Sequence, residues 1–242
     1  MIEAFFFNND QLYGCYHPSA DMGSTRLVVI CPPFFEEYQR CYKALVDLSN
    51  TCAEEGVHVL RFDYFGTGDS QGLLQQASLD TWKDGVFTAI EEGLDLSGAS
   101  EVMLLGVRFG ATLASNINHR RIKRYVFWDP VENGVAYQKW LEKVNHRLKR
   151  RHRQIARQIN QPLEKIAYEY FRLPAAMRSD MAAMTLIENA AQTFVITTDK
   201  SIYHSRRHAN CDYPGLTYNW LEGGLISQKP ILEALARRVL EP

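Results

Sequence analysis

A pentapeptide bracketed by glycines, Gly106 to Gly110, constrains the fold of this chain more than any other stretch. It follows Glu101 and a short apolar run at 102–105, and it precedes a helix-compatible segment at 111–114. An apolar run, a glycine turn and a helical segment in succession predict a strand, a sharp turn and a helix. The centre of the turn is Arg108, whose guanidinium is permanently charged.

The length and composition suit one globular domain with an insertion. The chain has 242 residues, of which 46% are hydrophobic and 23% charged, and these are ordinary values for such a domain. Its formal net charge of -1 gives no global argument for binding nucleic acid or a membrane. Any such argument must therefore be local.

The cysteines show no C-x-x-C pair and no metal-ligand spacing, so we interpret them as reduced core residues and predict no metal or other cofactor. They are Cys15, Cys31, Cys41, Cys52 and Cys211. The first residues have neither the basic start nor the apolar length of a signal peptide, and no apolar run reaches the roughly 20 residues of a membrane span. We expect a cytoplasmic protein without a transmembrane segment.

Strand-like and helix-like segments alternate along most of the chain, after an aromatic-rich hairpin at 2–7 and 11–17. Strands are predicted at 27–31, 57–62, 101–105, 125–128, 193–197 and 216–221, and helices at 38–55, from about 79, after the 106–110 turn, and around 231–239. Such alternation predicts an α/β fold with a mostly parallel sheet, helices on both faces and the hairpin as an antiparallel edge.

The alternation is interrupted between 134 and 190 by a helical stretch without a strand signal. We interpret this stretch as a helical cap insertion. The predicted organisation is therefore a core formed by 1–133 and 191–242, with the cap at 134–190. Ligands of parallel sheets bind at the carboxyl ends of the strands, so the functional residues are expected in the loops there.

The loop after the strand at 57–62 carries a second motif, since residues 61–70 read R-F-D-Y-F-G-T-G-D-S. With the order of elements and the turn at 106–110, this loop resembles the α/β-hydrolase superfamily, in which R-x-D-x-x-G-x-G-x-S is common and the turn is the nucleophile elbow G-x-S-x-G. The resemblance covers nearly the whole chain. We interpret Asp63, Gly66, Gly68 and Ser70 as residues that shape the turn.

The catalytic triad that this resemblance implies is incomplete. Its order is nucleophile, acid and histidine, but Arg108 stands at the nucleophile position and cannot act as one. The acid is Asp199 or Asp129, each at the end of a predicted strand. A histidine should follow the last strand, yet the final histidine is His208. Serine-hydrolase chemistry, which needs a nucleophile and a base within hydrogen-bond reach, is not supported.

A narrower resemblance rests on P-P-F at 32–34, Glu36-Glu37 and the G-x-R-x-G turn. Together they resemble the hydrolase-like proteins associated with the exosortase A system of bacteria, which implies a context of exopolysaccharide and protein-sorting genes. The segment occupies the place of the oxyanion-hole loop. Pro33 has no backbone N–H to donate, which leaves the amides of Phe34 and Phe35 as candidate donors.

An arginine in the elbow is unfavourable for two reasons, the strain of the backbone and the position of its charge. The resemblance implies a strained backbone at this position, at a cost of about 1–3 kcal/mol. A cation near the positive end of the following helix is also unfavourable unless a carboxylate or a bound anion neutralises it. We predict that Arg108 pairs with Glu36, Glu37, Asp199 or Glu222, or is held ready for an acidic ligand. The candidate ligand-binding residues are Arg108, Phe34, Phe35, Glu36, Glu37 and Glu222.

A basic, amphipathic helix is predicted within the cap at 143–157. Its cations are Lys143, Arg147, Lys149, Arg150, Arg151, Arg153 and Arg157, with His146 and His152 among them. The pattern favours a solvated helix that packs by its other face. The alternative is a surface for an anionic ligand or partner, including nucleic acid, phospholipid headgroups or an acidic polysaccharide.

Three functions follow from these patterns. The first is a non-hydrolytic binding or accessory protein for an anionic small molecule or a protein partner, anchored at Arg108. The second is a hydrolase or acyltransferase acting on an ester, thioester or amide through a non-standard nucleophile, for which the candidates are Ser70 or Cys31, with His204 or His208 as the base. The third is a nucleic-acid or membrane-surface adaptor that works through the basic helix.

Overall fold

A computed structural model describes residues 2–160, 173–187, 192–198, 211–214, 220 and 229–241, without the side chains of Phe35 and Glu36. Its strands are β1 (Glu3–Phe7), β2 (Leu12–His17), β3 (Arg26–Cys31), β4 (His58–Phe62), β5 (Glu101–Val107), β6 (Ile122–Trp128), β7 (Thr193–Ile196) and β8 (Cys211–Asp212). Its helices are α1 (Phe35–Glu54), α2 (Leu79–Ser97), α3 (Phe109–Ser115), α4 (Gly134–Gln158), α5 (Ala175–Ala183) and α6 (Lys229–Leu240).

The described strands form one sheet in the order β1-β2-β4-β3-β5-β6-β7-β8. β1 pairs with β2, and β2 with β4, in antiparallel fashion, and the pairs from β4 to β8 are parallel. The predicted α/β fold with a mostly parallel sheet and an antiparallel edge is confirmed. The hairpin turn uses Asn8, Asn9 and Asp10 at positive φ, a region that Asn and Asp adopt more readily than most residues.

Each face of the sheet carries its own hydrophobic cluster, because successive side chains of a strand point to opposite sides. Leu27 and Val29 of β3 pack in the cluster that contains α2, α3, α5 and the first turns of α4. Val28 and Ile30 pack in the cluster that contains α1 and α6. Helices therefore cover both faces, as predicted.

Two elements differ from the sequence-based prediction. α1 begins at Phe35 rather than at Tyr38, because the apolar periodicity starts later than the helix, whose first turn carries the acidic Glu36 and Glu37. β8, a two-residue strand beside β7, is too short to show a periodic pattern. The strand predicted at 216–221 lies outside the described residues, apart from Trp220.

The stretch between β6 and β7 contains α4 and α5 and no strand among its described residues, 134–160 and 173–187. The first turns of α4 and the buried Met177 and Met181 of α5 pack on the face of the sheet that carries α2 and α3. In the part of the chain that the structure describes, no helix is both long enough and apolar enough to cross a membrane.

Candidate functional site

The turn between β5 and α3 holds Arg108 in a strained conformation. Its φ of 55° and ψ of -125° lie where non-glycine residues are rare, at a cost of about 1–3 kcal/mol. The flanking glycines make the turn sterically feasible. A Cβ on Gly106 would overlap Ala111, and one on Gly110 would overlap the backbone at the end of β3. The sharp turn predicted from the pentapeptide is confirmed.

The Arg108 side chain forms an ion pair with Glu37. Its Nε donates to Glu37 Oε1 over 2.7 Å, and the Glu37 side chain is 2% exposed. The second oxygen, Oε2, accepts from the Tyr137 hydroxyl at 2.7 Å. The prediction that Arg108 pairs with a carboxylate is confirmed, and the carboxylate is that of Glu37. The Glu36 side chain, Asp199 and Glu222 lie outside the described residues.

The rest of the guanidinium is held by a carbonyl and two indole rings. Arg108 Nη1 donates to the Asp129 backbone oxygen at 3.0 Å. The guanidinium carbon lies 5.4 Å from the centroid of the Trp140 ring and 5.3 Å from that of Trp220, which are cation–π distances. The Arg108 side chain is 15% exposed. Its Nη2 has no hydrogen-bond partner among the described residues, which leaves the two N–H groups of that nitrogen for a ligand.

Burial and charge set the protonation of this pair. Burial raises the pKa of the Glu37 carboxyl above its usual range, and the charge and hydrogen bonds of Arg108 and the hydrogen bond from Tyr137 counteract this only in part. Burial lowers the pKa of Arg108, but the charge of Glu37 and its hydrogen bond outweigh that effect, so the pKa is raised. Arg108 is therefore a permanent cation and cannot serve as a nucleophile or a general base.

Asp129, one of the two candidate triad acids, ends β6 at the edge of the site. Its φ is 43° and its side chain is buried. Oδ1 accepts from the Thr198 amide at 2.6 Å, and Oδ2 accepts from the Thr198 hydroxyl at 2.5 Å and from Trp220 Nε1 at 2.9 Å. This carboxylate ties the ends of β6 and β7 together, and no histidine of the described residues hydrogen-bonds to it. The other candidate acid, Asp199, lies outside those residues.

Phe34 precedes α1, and its ring lies in the core. Its centroid is 4.5 Å from that of Trp82 and 5.2 Å from that of Phe109. Phe34 thereby fixes the start of α1, and so the position of Glu37. Ligand contact by Phe34 remains a prediction, as it does for Phe35, whose side chain is not described.

The loop at 61–70 is a hydrogen-bonded turn, as the sequence predicted. Asp63 Oδ2 accepts from the Asp69 amide at 3.0 Å. The Ser70 hydroxyl donates to the Asp63 backbone oxygen at 2.6 Å and accepts from the Tyr13 amide at 2.9 Å. Gly66 and Gly68 have positive φ. Because its hydroxyl already binds two backbone groups, Ser70 is poorly placed to act as a nucleophile.

Cys31, the other candidate nucleophile, ends β3 beside Gly106 of β5. Burial raises the pKa of its thiol to about 12, so it is not a thiolate at neutral pH, and the thiolate is the reactive form. The candidate bases His204 and His208 lie outside the described residues. The described residues contain no cluster of three His, Cys, Asp or Glu side chains that could hold a metal ion.

The sequence did not reveal the parts that Tyr137, Trp140, Thr198 and Trp220 play. On α4, the Tyr137 hydroxyl donates to the Glu37 carboxylate, and the Trp140 ring lies at cation–π distance from Arg108. The one signal available for these two residues was the presence of aromatic side chains in the first two turns of the helix that follows β6. Thr198 carried none, because its role depends on the pairing of β6 with β7.

Neither the protein-family models nor the curated proteins match this chain. Among solved structures, the chain is similar to Est1E from Butyrivibrio proteoclasticus with bound ferulic acid, with a TM-score of 0.64, 16% identity and coverage of 98% of each chain. It is also similar to the hypothetical protein PA2218 from Pseudomonas aeruginosa, with a TM-score of 0.63, 13% identity and coverage of 99% of this chain and 92% of that one.

A third similar structure is XC6422 from Xanthomonas campestris, described as an α/β serine hydrolase without a lid. Its TM-score is 0.55 at 14% identity, and the match covers 98% of this chain and 94% of that one. At such identities the similarity concerns the fold alone. Together with the strand order and the turn at Arg108, these matches show that the chain has the α/β-hydrolase fold.

Proposed function

We propose that this chain is a non-hydrolytic binding or accessory protein, whose pocket holds an anionic small molecule or a segment of a protein partner at Arg108. The observation that carries the proposal is the guanidinium of Arg108 in the turn where the superfamily has its nucleophile. Glu37, the Asp129 carbonyl and two tryptophans fix its position. Its Nη2 still has a donor to offer.

The described residues around the turn also support a non-hydrolytic role. Hydrolysis through a covalent intermediate needs an activated nucleophile next to a base. Arg108 supplies neither, Ser70 is engaged by backbone groups, and the Cys31 thiol is buried with a raised pKa. Asp129 binds Thr198 and Trp220 rather than a histidine of the described residues.

The ligand is expected to present a carboxylate or phosphate oxygen to Arg108 Nη2 and an apolar surface to Trp140 and Trp220. Glu37 balances the charge of Arg108, and the Asp129 carboxylate is bound by its own donors. Hydrogen bonds and contact with the indoles should therefore contribute more to affinity than net charge does. Binding of this kind should survive moderate salt, since screening acts mainly on exposed charges.

The remaining parts of the proposal concern the surroundings of this site. We propose that 134–190 is a cap insertion over a core of 1–133 and 191–242. We also propose kinship with the exosortase A-associated hydrolase-like proteins. The contact between Glu37 and Arg108 supports that kinship, because it joins the two segments on which the resemblance rests. A cytoplasmic location remains a prediction.

A fluorophosphonate probe tests the absence of hydrolase chemistry. We expect the intact mass of the full chain to stay unchanged after incubation with the probe, and p-nitrophenyl acetate to be hydrolysed no faster than in buffer. Arg108→Ser should also stay inactive, because the described residues place no base beside the turn. A probe adduct on the unaltered chain would instead favour the alternative, a hydrolase or acyltransferase acting on an ester, thioester or amide.

A further inference from the structure

Six basic side chains of α4 form a single stripe along the helix. This cationic stripe consists of Lys139, Lys143, His146, Arg150, Arg153 and Arg157, and all six are exposed. Their successive spacings of four, three, four, three and four residues place them within about 40° of one line parallel to the helix axis. At about 1.5 Å per residue the stripe is about 27 Å long.

The stripe lies opposite the face by which α4 packs. The buried side chains of α4 lie on the opposite face of the helix from the stripe. They are Tyr137, Leu141, Val144 and Ala156. None of the five lysines and arginines of the stripe forms an ion pair with a described carboxylate. Residues 143–157 contain no Asp or Glu. An open groove of about 500 Å³ beside the first half of the stripe is lined by Lys139, Glu142, Lys143, His146 and Arg147, so Glu142 is the one acidic residue among these cations.

Such an arrangement opposes the stability of the helix itself. Like charges three or four residues apart repel, at a cost of about 0.2–0.5 kcal/mol for each pair. A helix that only needs solubility would intersperse acidic residues, as α1 does with its Lys43–Asp47 pair. The run from Lys143 to Arg157, which no acidic residue interrupts, therefore points to an external partner that supplies the negative charge.

The charge that such a partner meets is the local charge of the stripe and not the net charge of the protein. The formal net charge of the chain is -1, so the residues outside α4 are acidic on balance. Electrostatic screening at physiological ionic strength acts over about 8 Å, a distance much shorter than the stripe. A polyanion lying along α4 therefore meets a local excess of positive charge despite the negative total.

We propose that the cationic stripe binds the sugar–phosphate backbone of duplex nucleic acid without sequence preference. The stripe and the backbone are both linear arrays of charge, and three of its five permanent cations are arginines, whose planar forks match phosphate oxygens. A membrane-surface helix turns an apolar face into the lipid. In α4 most of the apolar face packs on the protein, with Leu148 and Ile155 half-buried and Val135 exposed, so a bilayer would meet mainly charges.

The salt dependence of binding tests this assignment. The full chain is titrated into a fluorescein-labelled duplex of about 20 base pairs, and anisotropy is followed at several NaCl concentrations. Release of counterions by five contacts predicts a slope of log K against log salt of about -4.5. Lys143→Gln/Arg150→Gln/Arg153→Gln should reduce it to about -1.8, because two contacts remain. These sites are exposed, so the variant should fold.

A matched control removes the same charge elsewhere. Lys43→Gln/Lys123→Gln/Lys229→Gln replaces three exposed lysines outside α4 and should leave both affinity and slope unchanged. Equal weakening by the two triple variants would overturn the proposal, as would the absence of duplex binding at 50 mM NaCl. Preference for heparin, or for vesicles of phosphatidylserine and phosphatidylcholine, over the duplex would assign the stripe to another polyanion and overturn it as well.

Discussion

The side chains of Arg108 and Glu37 are in contact at 2.7 Å although 71 residues separate them in the chain. Their pairing joins the turn after β5 to the first turn of α1. It also explains how an arginine is tolerated at this helix start, since a buried carboxylate offsets the charge that the α3 N-terminus disfavours. The same pair sets the direction in which the remaining guanidinium donor points.

The first prediction concerns the energetic coupling of this pair. Arg108→Met leaves the buried Glu37 carboxylate without its cation, and Glu37→Met leaves the arginine without its anion. Each change should lower the free energy of unfolding by about 3–5 kcal/mol. The double variant should lose much less than the sum, because no buried charge remains. Urea denaturation of the four proteins measures the coupling. Strictly additive losses would contradict the account.

The second prediction concerns pH. The His17 ring bonds Asn50 and accepts from Arg61 Nε at 3.2 Å. Burial, together with the charge of Arg61, lowers the pKa of His17 to about 4. Between pH about 6.5 and 4 the unfolded chain binds more protons at this site, so stability falls as pH falls. Relative to His17→Gln, the unaltered chain should lose up to about 3 kcal/mol across this window.

The control is the same comparison of the unaltered chain with His17→Gln at a pH above about 6.5. At pH 8 the imidazole is neutral in both the folded and the unfolded chain, so the difference between the two proteins reflects only the lost hydrogen bonds. Unfolding curves in urea at pH 4.5, 5.5, 6.5 and 8 give the difference directly. A constant difference across all four pH values would show that His17 does not titrate as stated.

The third prediction concerns thiol reactivity. Burial raises the pKa of Cys31 and Cys52 to about 12 and that of Cys41 well above its usual range, whereas Cys211 is only half-buried. In the native protein at pH 8, Ellman's reagent should modify Cys211 first and the others only after denaturation. Cys211→Ser should abolish the fast phase. Fast labelling of Cys31 would contradict this prediction and would favour Cys31 as a nucleophile.

The fourth prediction concerns the glycines of the elbow. A methyl group on Gly110 meets the backbone at the end of β3, whereas Gly98, at positive φ, has open space around it. Gly110→Ala should therefore lower the free energy of unfolding by about 3 kcal/mol through overpacking, because the atoms it meets belong to the backbone and cannot move aside. Gly98→Ala adds only backbone strain, about 1 kcal/mol. Equal midpoints in guanidinium chloride for the two variants would contradict the close approach of α3 to β3.

The sequence predicted the fold well where a local pattern carries the information. The glycine-bracketed turn, the helix at Leu79 and the hairpin all follow from periodicity and turn chemistry. Two-residue β8 has no such pattern. The prediction missed the first three residues of α1, Phe35 to Glu37, because they precede the apolar periodicity that marks the helix.

The site was predictable only in part, since its contacts depend on how distant elements meet. The charge of Arg108 predicted that a carboxylate would lie beside it and left four candidates. Which of them forms the pair depends on where α1 begins relative to the elbow, and this places Glu37 against Arg108. Tyr137 reaches the same carboxylate across 100 residues of sequence, a contact that no spacing rule reveals. The cationic stripe is the opposite case, because its spacing is visible in the sequence while its isolation from carboxylates is not.

The most direct test of the central claim is a thermal-unfolding titration with acetate, benzoate and inorganic phosphate at two NaCl concentrations, using the unaltered chain and Arg108→Met/Glu37→Met. We predict that at least one anion, at about ten times its dissociation constant, raises the Tm of the unaltered chain by about 3–5 °C at both salt concentrations. The double variant should show no shift. Equal shifts in both proteins, or none in either, would contradict a binding site at Arg108.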